Sequence, residues 1–427
     1  MILECEMADW RHGFYKLTRA QRQSLVARQF DLSAQQEQLL NQQVDPVNQE
    51  MVENYLTSYH LPQGIAVNLV VDQQEYVVPM VTEEPSVIAA ASNGAKLVAK
   101  SGGFQTTADT AMMIGQVVLT QVDNTIIDWL KQHESELLQV ANQAKPSMQR
   151  RGGGAKKAQL RSLKHGWVSI DLMIDTDEAM GANSVNTMCE AVGNWLSDNG
   201  LHVLTAILSN LATQSLQTAT CKINAADLVT ESMSGDEVGQ RIADLSELAQ
   251  IDPYRATTHN KGIMNGIDAV LIATGNDWRA IESGAHAYAA IGGVYKGLST
   301  WRFEKSQLIG SITLPLPVGI VGGSIDIVPL VKINQRIMKV NSAQQLAQVI
   351  ASVGLAQNLA ALRALATNGI QVGHMKLQYR SLALSVGAKP AEIDALVARL
   401  QNEQHVDHQF AIQELEQLRK ELNNGRN

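Results

Sequence analysis

Between Ile65 and Ala99 the apolar pattern changes period, and that change constrains the fold more than any other feature of the chain. IAVNLVVDQQEYVVPMV reads as two β-rich runs joined by a polar DQQE turn, the signature of a hairpin. It runs directly into TEEPSVIAAASNGAKLVAK, where Pro85 suits a first helical turn and the Ala-rich run suits a buried helix. Strand and helix periods in direct succession predict an α+β fold and set Glu84 and Ser86 at a strand-to-helix junction. With 427 residues, 45% of them hydrophobic, the chain is long enough for two or three domains, each with its own core. Aromatic residues are only 4% of the chain, so Ala, Val, Leu, Ile and Met must fill those cores.

The formal charge of -8 argues against a general nucleic-acid coat, since phosphate binding needs a basic field; any anion site must be local. Cys5, Cys189 and Cys221 show no paired spacing, which suits a reducing cytoplasm and gives no zinc motif. The N-terminus, MILECEMADWRHGF, carries acids early and does not read as a secretory signal. The apolar stretch SITLPLPVGIVGGSIDIVPLV is broken by prolines, glycines and Asp326, so no membrane span is expected there. A soluble protein is the expectation.

Along the chain, RAQRQSLVARQF and SAQQEQLLNQQ have helical spacing, the second with a serine in the N-cap position. From about Ala108 to Ser215 the pattern predicts a helix over TIIDWLKQHESELLQVANQ, a basic glycine-rich loop over PSMQRRGGGAKK and an alternating strand over GWVSIDLMIDT. A DEAMGAN turn then opens a helix ending at Gly200, and LHVLTAILSN returns as a strand. This reads as a small domain, 109–215, inserted into a larger one formed by 1–108 and 216–370. The charged helical tail, 371–427, reads as a mobile subdomain.

Asp252–Arg279 gathers Arg255, His259, Lys261, Asn265, Asp277 and Arg279 in turn-rich sequence around what reads as a buried strand, AVLIAT. Cationic and polar groups at the mouth of an apolar strand suit an anionic substrate. Lys261 paired with a carboxylate such as Asp277 stays charged and can steady an oxyanion; a structural salt bridge is the alternative. Glu84 is either a general acid or a helix N-cap. His374 is either a proton donor on a hinged element or an ordinary exposed histidine. Free N–H groups at the start of the DEAMGAN helix favour anions, although G-x-G-x-x-G is absent. The neighbouring Lys145, Arg150, Arg151, Lys156 and Lys157 face nucleotide phosphates or form a solvated loop.

Taken together, EEPSVIAAAS, DEAMGANSVNTM, LSNLA, DPYRATTHNKGIMNGIDAVLIATGNDWR, PLPVGIVGG, VGLAQNLAALRALATNGIQ and GHM resemble, in order and over nearly the whole chain, class II (bacterial-type) 3-hydroxy-3-methylglutaryl-coenzyme A (HMG-CoA) reductases. The resemblance implies a large mixed α/β substrate domain, an inserted small ferredoxin-like α+β nucleotide-binding domain and a helical C-terminal flap. It implies four-electron reduction of HMG-CoA to mevalonate and free CoA by two NAD(P)H, through mevaldyl-CoA and mevaldehyde. The same chemistry run oxidatively with NAD serves mevalonate breakdown. A lyase or acyltransferase without hydride transfer is the rival class, and it would leave the small domain with no cofactor to hold.

Carried over by motif, the resemblance makes Glu84, Lys261, Asp277 and His374 the catalytic set, with His374 protonating the CoA thiolate. It assigns Ser86, Asn210, Arg255, Asn265 and Gln357 to the substrate and Lys16 to CoA phosphate. Met180, Gly181 and Asn183 fall to the nicotinamide cofactor. Where NADH-preferring members carry an aspartate, seven residues before the glycine run, this chain has Lys145, which predicts a preference for NADPH with NADH still usable. No metal is implied. The resemblance further implies a cytoplasmic homodimer with the active site at the subunit boundary, assembling up to a hexamer.

Overall fold

The computed structural model describes residues 10–108, 111–367, 379–403 and 406–424, with side chains to 421. His374 and Cys5 lie outside the described residues. The chain divides into two compact units, 1–62 and 63–427. The first holds three helices, Arg19–Gln29, Ala34–Gln42 and Pro46–Met51. Thr18 and Ser33 start the first two with reciprocal capping boxes to Gln21 and Gln36, as the Ser N-cap signal predicted. The buried amide of Gln23 ties the unit together by donating to the carbonyls of Leu40 and Leu56.

The second unit contains strands β1 (Gln63–Val71), β2 (Gln74–Val81), β3 (Gln105–Ala108), β4 (Met113–Thr120), β5 (Gly154–Ser162), β6 (Val168–Asp175), β7 (His202–Ser209), β8 (Leu216–Asn224), β9 (Ser299–Glu304) and β10 (Gln307–Pro315). β1 and β2 form the expected hairpin, followed by the helix Val87–Ala99. β3-β8-β10-β9 is an antiparallel sheet. β5-β6-β4-β7 is a second antiparallel sheet. In chain order the second sheet is strand, helices, two strands, helix, strand, which is the split βαβ arrangement of ferredoxin-like folds. It encloses its own aliphatic core around Val117, Ile170, Leu172, Val185 and Met188, separate from the large core built on β8, β10 and the central helices. Tyr379, Leu396, Leu400 and Leu415 form a third core under the C-terminal helices.

Four segments differ from the sequence reading. Residues 253–273 are one continuous helix, not a strand between turns. Asp252 caps it by accepting from the Tyr254 N–H, and Pro253 sits in its first turn. Its buried positions, Ala256, Asn260, Ile263, Ile267 and Val270, recur at helical spacing. AVLIA looks strand-like because the helix is buried on several sides there, and a short apolar run does not distinguish the two states. The helix expected over 125–143 is broken at His133, whose ring Nδ1 lies 2.8 Å from the Trp129 carbonyl and whose backbone leaves the helical region. The basic loop is part helix, Pro146–Arg150, and part β5. β6 is buried throughout rather than alternating, because it is a central strand. Burial pushes the Asp171 carboxyl on β6 up, but hydrogen bonds from Arg161, Ser169 and Gln116 outweigh it and hold it below its ordinary range.

Ala343–Ala366 is the one helix among the described residues long and apolar enough to cross a membrane, and most of it is buried in the large core.

Candidate active site

Four helices converge on a cavity of about 430 Å³: Val87–Ala99, Gly235–Ile251, Pro253–Ala273 and Ala343–Ala366. Small residues permit the approach. A Cβ on Gly94 would meet the Ala356 carbonyl at 2.0 Å, and one on Gly266 would press Gln357 at 3.0 Å. Glu84, Ser86, Arg255, Lys261, Asn265 and Gln357 all line the cavity.

Lys261 Nζ donates to Glu84 Oε2 at 2.7 Å, a pair formed across 177 residues of sequence. Glu84 is therefore not the helix cap. That position falls to Ser86, which sits at φ 77°, in the left-handed region that costs a non-glycine residue about 1–3 kcal/mol. The strain turns the chain sharply between β2 and the helix and leaves the Glu84 carboxylate over the cavity. Gln357 is buried, and its Oε1 has no hydrogen-bond partner among the described residues. A buried acceptor without a donor in a cavity wall awaits a ligand donor.

His259, also in the wall, is scaffolding. Its Nε2 lies 2.7 Å from Ser299 Oγ and 3.2 Å from Asn358 Nδ2, while Asn358 Oδ1 accepts from Ser299 and from the Trp301 indole. Burial, reinforced by Arg255, pushes its pKa down to about 4, so it is neutral at neutral pH. Two turns beyond Lys261, burial and the facing Glu282 carboxylate push Asp268 up to about 8. Neither residue stood out from the sequence as a structural group; the helical spacing of 256, 260, 263 and 267 was the signal that orders both.

The other expected residues form a second group. Asp277 caps the helix Trp278–Ala289, its Oδ1 accepting from the Ala280 N–H at 3.1 Å. It does not line the cavity. From Lys261 the helix runs on to Ala273, a rise of roughly 18 Å, before the turn to Asp277. The Lys261–Asp277 contact expected from the sequence is thus not the one found within the chain: Lys261 meets Glu84. Asn210 follows β7, also outside the cavity lining, and its carbonyl packs against Gly284 of the helix that Asp277 caps. Met180, Gly181 and Asn183 form the turn into the helix Ala182–Asp198, with Gly181 at φ 77° and no side chain capping the helix start. Arg151–Asp177 (3.5 Å) and Lys156–Asp175 (4.0 Å) bring the basic segment beside that turn.

Lys145 joins two short helices just before the basic segment. In the first unit, Lys16 ends a short helical turn with Nζ over the Tyr15 ring. No cluster of metal-ligating side chains occurs among the described residues.

The family profile described as hydroxymethylglutaryl-coenzyme A reductase matches residues 18–379. The chain is 42% identical to the 3-hydroxy-3-methylglutaryl-coenzyme A reductase of Archaeoglobus fulgidus over 95% of this chain and 94% of that one. The class II 3-hydroxy-3-methylglutaryl-CoA reductase of Streptococcus pneumoniae, solved bound to NADPH in open conformations, is 45% identical, with a TM-score of 0.74 over 94% of this chain and 100% of that one. A further structure of the reductase from Streptococcus pneumoniae, also 45% identical, gives a TM-score of 0.75 over 96% of this chain and 100% of that one.

Proposed function

The chain belongs to the hydroxymethylglutaryl-coenzyme A reductase family, on its class II branch, and from that premise we propose that it reduces HMG-CoA to mevalonate and free CoA with NADPH, at a site completed by a second copy of the chain. The observation that carries this reading is the Lys261–Glu84 pair in the cavity wall beside Arg255 and the unpartnered Gln357 Oε1.

HMG-CoA presents a free carboxylate, a tertiary hydroxyl and a thioester. Arg255 suits the carboxylate through its forked donors, and Gln357 Oε1 accepts from the hydroxyl. Ser86 and Asn265 flank the same space, and Lys16 is assigned to CoA phosphate. Lys261 donates to the carbonyl oxygen as it gains charge, the largest help a carbonyl addition receives. Glu84, hydrogen-bonded to Lys261, supplies the proton that leaves an alcohol at that oxygen. The hemithioacetal then collapses: its hydroxyl proton returns to Glu84 as the C–S bond breaks, the departing CoA thiolate takes a proton from His374, and the resulting aldehyde passes through the Lys261–Glu84 pair a second time.

The turn 176–183 fits a dinucleotide: Gly181 adopts a backbone shape that a side chain would strain, the helix start lacks a side-chain cap, and cations stand beside it. A nicotinamide cofactor held there by Met180, Gly181 and Asn183 supplies hydride, and reducing a thioester to an alcohol consumes two. Lys145, with Arg151 and Lys156 nearby, favours the 2′-phosphate of NADPH over the bare ribose of NADH. Residues 109–215 are then the nucleotide domain, 1–108 with 216–370 the substrate domain, and 371–427 the flap.

Asp277 and Asn210 belong with the cofactor group, away from Lys261 in the same chain. A homodimer resolves the separation: the cavity of one copy meets the Asp277 and cofactor turn of the other, with further assembly to a hexamer compatible. Cys189 and Cys221 are free and buried, their thiols pushed up to about 12 by burial, which suits a cytoplasmic protein.

The test is to mix the purified protein with HMG-CoA and NADPH and follow the reduced nicotinamide. Two equivalents consumed per thioester are expected, and no consumption with NADPH or NADH refutes the reading. Lys261→Ala should lower kcat by about 10²–10³ while leaving the fold intact.

A further inference from the structure

The segment Leu316–Gly322, the LPVGIVG of the chain, reads in sequence as a broken apolar run within one of the shared motifs and has no role assigned to it, yet it lies between the two functional turns. The buried Asn276 grips it from one side. Asn276 Oδ1 accepts from the Gly319 N–H at 2.8 Å and its Nδ2 donates to the Gly319 carbonyl at 3.1 Å, a closed two-bond ring. The same Nδ2 lies 3.1 Å from Thr274 Oγ1, and Thr274 is anchored by donating to the Val270 carbonyl at 2.8 Å. On its other side Gly319 abuts the turn that opens the Ala182 helix: a Cβ there would sit 2.6 Å from the Met180 nitrogen and 3.0 Å from Ala179. The Ile320 N–H donates to the Glu178 carbonyl at 2.9 Å, and the Glu178 carboxylate accepts from the Ala343 N–H at the start of the core helix.

Asn276 precedes Asp277, and Met180 precedes Gly181. We infer that Asn276 is a positioning residue that acts through Gly319 to hold the Asp277 turn against the nicotinamide turn, fixing the carboxylate's place relative to the cofactor. The inference rests on the reading of 176–183 as the cofactor site. Asn uses donor and acceptor together here, which Asp, Ser or Ala does not reproduce, and only glycine at 319 lets the two turns approach so closely. Two turns tied by a rigid ring keep a fixed separation without substrate, and a shift of about 1 Å in such a separation costs up to roughly a hundredfold in rate.

Three variants of the full-length protein test it: Asn276→Ala, Gly319→Ala and, as a benchmark on the turn itself, Gly181→Ala. NADPH affinity and HMG-CoA affinity are measured by calorimetry, and kcat in the steady state. Asn276→Ala and Gly319→Ala are expected to weaken NADPH about tenfold and lower kcat about ten- to a hundredfold, with HMG-CoA affinity unchanged. Their double variant should lose little more than either alone, because both break one contact. A residue with only a structural role would lower the melting temperature and leave the NADPH affinity of the folded protein intact. Wild-type NADPH affinity and kcat in both clasp variants, alongside a loss in Gly181→Ala, overturn the clasp but not the cofactor site. Normal NADPH binding by Gly181→Ala overturns the cofactor reading and the clasp with it. Should Asn276→Ala fail to fold, Gly319→Ala alone gives the same readout.

Discussion

Two inactive variants made together should recover activity that neither has alone. Lys261 lines the cavity, and Asp277 lies past a further helical rise of roughly 18 Å in the same chain, so the reading assigns the two to different active sites of a dimer. Co-expression of Lys261→Ala and Asp277→Asn copies gives roughly half mixed dimers if pairing is random. In each mixed dimer one site carries both lesions and the other carries neither. About a quarter of wild-type activity is therefore expected from the mixture. Asparagine is chosen at 277 because it preserves the N-cap that Asp277 provides to the helix Trp278–Ala289. The assay is nicotinamide oxidation by mixed dimers purified through two different tags, for which about half of wild-type activity per dimer is expected. If both residues served one chain's own site, every site in a mixed dimer would carry one lesion. Activity no higher than the single variants, in dimers shown to be mixed, refutes the half-site argument.

Glu84→Gln keeps a hydrogen-bonding neighbour for Lys261 but holds no acidic proton, and kcat should fall by about 10²–10⁴ in a steady-state assay with KM nearly unchanged. Near-normal kcat would remove Glu84 from the proton step. His259 is neutral in the folded chain because its pKa is about 4 against an ordinary 6.5, so the unfolded chain takes up a proton that the folded one refuses. Stability should be constant above about pH 6.5 and fall by roughly 3 kcal/mol on acidification to pH 4; urea unfolding of His259→Gln should lose that slope, and an unchanged slope contradicts the assignment. Asp268 has the opposite sign: held up to about 8, it keeps a proton that the unfolded chain has already lost. Stability then declines as pH rises from the ordinary carboxylate range to about 8, by on the order of a few kcal/mol, and Asp268→Asn should flatten that decline in the same unfolding assay. Lys145→Asp should move the NADPH-to-NADH ratio of kcat/KM roughly tenfold toward NADH, and no movement would detach Lys145 from the 2′-phosphate.

The hairpin and the junction at Glu84 were legible because strand and helix periods there are clean and the turns polar. Residues 269–273 were not, because a helix buried on several sides loses its polar stripe and imitates a central strand. β6 was read correctly as a strand, but the polar positions of its alternation, Ser169 and Asp171, are buried rather than solvent-facing, and they are satisfied there by Arg161 and Gln116. For the site, residue types were legible and partners were not. Lys261 was matched in sequence with Asp277, the carboxylate that follows the apolar run AVLIAT, whereas the fold brings Glu84 to it across 177 residues. Local sequence carries no record of such a contact. Asn276 and Gly319 escaped notice for a related reason: one side-chain amide gripping a backbone amide 43 residues away has no periodicity at all.

The misread helix is also what divides the site. A strand at 269–274 would have left Asp277 free to turn back toward Lys261, but a continuous helix to Ala273 sets a fixed length between them. Its early turns carry Arg255 and Lys261 on the cavity, and its end delivers Thr274, Asn276 and Asp277 to the clasp on Gly319. One rigid element therefore contributes to two places at once, which the proposed dimer assigns to two different active sites. Shortening the helix by one residue would rotate its far end by about 100° and draw it in by about 1.5 Å. Such a deletion near Ala269 should keep the substrate cavity, which depends on residues up to Asn265, and abolish turnover because the Asp277 turn no longer meets Gly319. The informative measurement is HMG-CoA affinity beside kcat: loss of turnover with retained binding supports the helix as the spacer between half-sites, and retained turnover contradicts it.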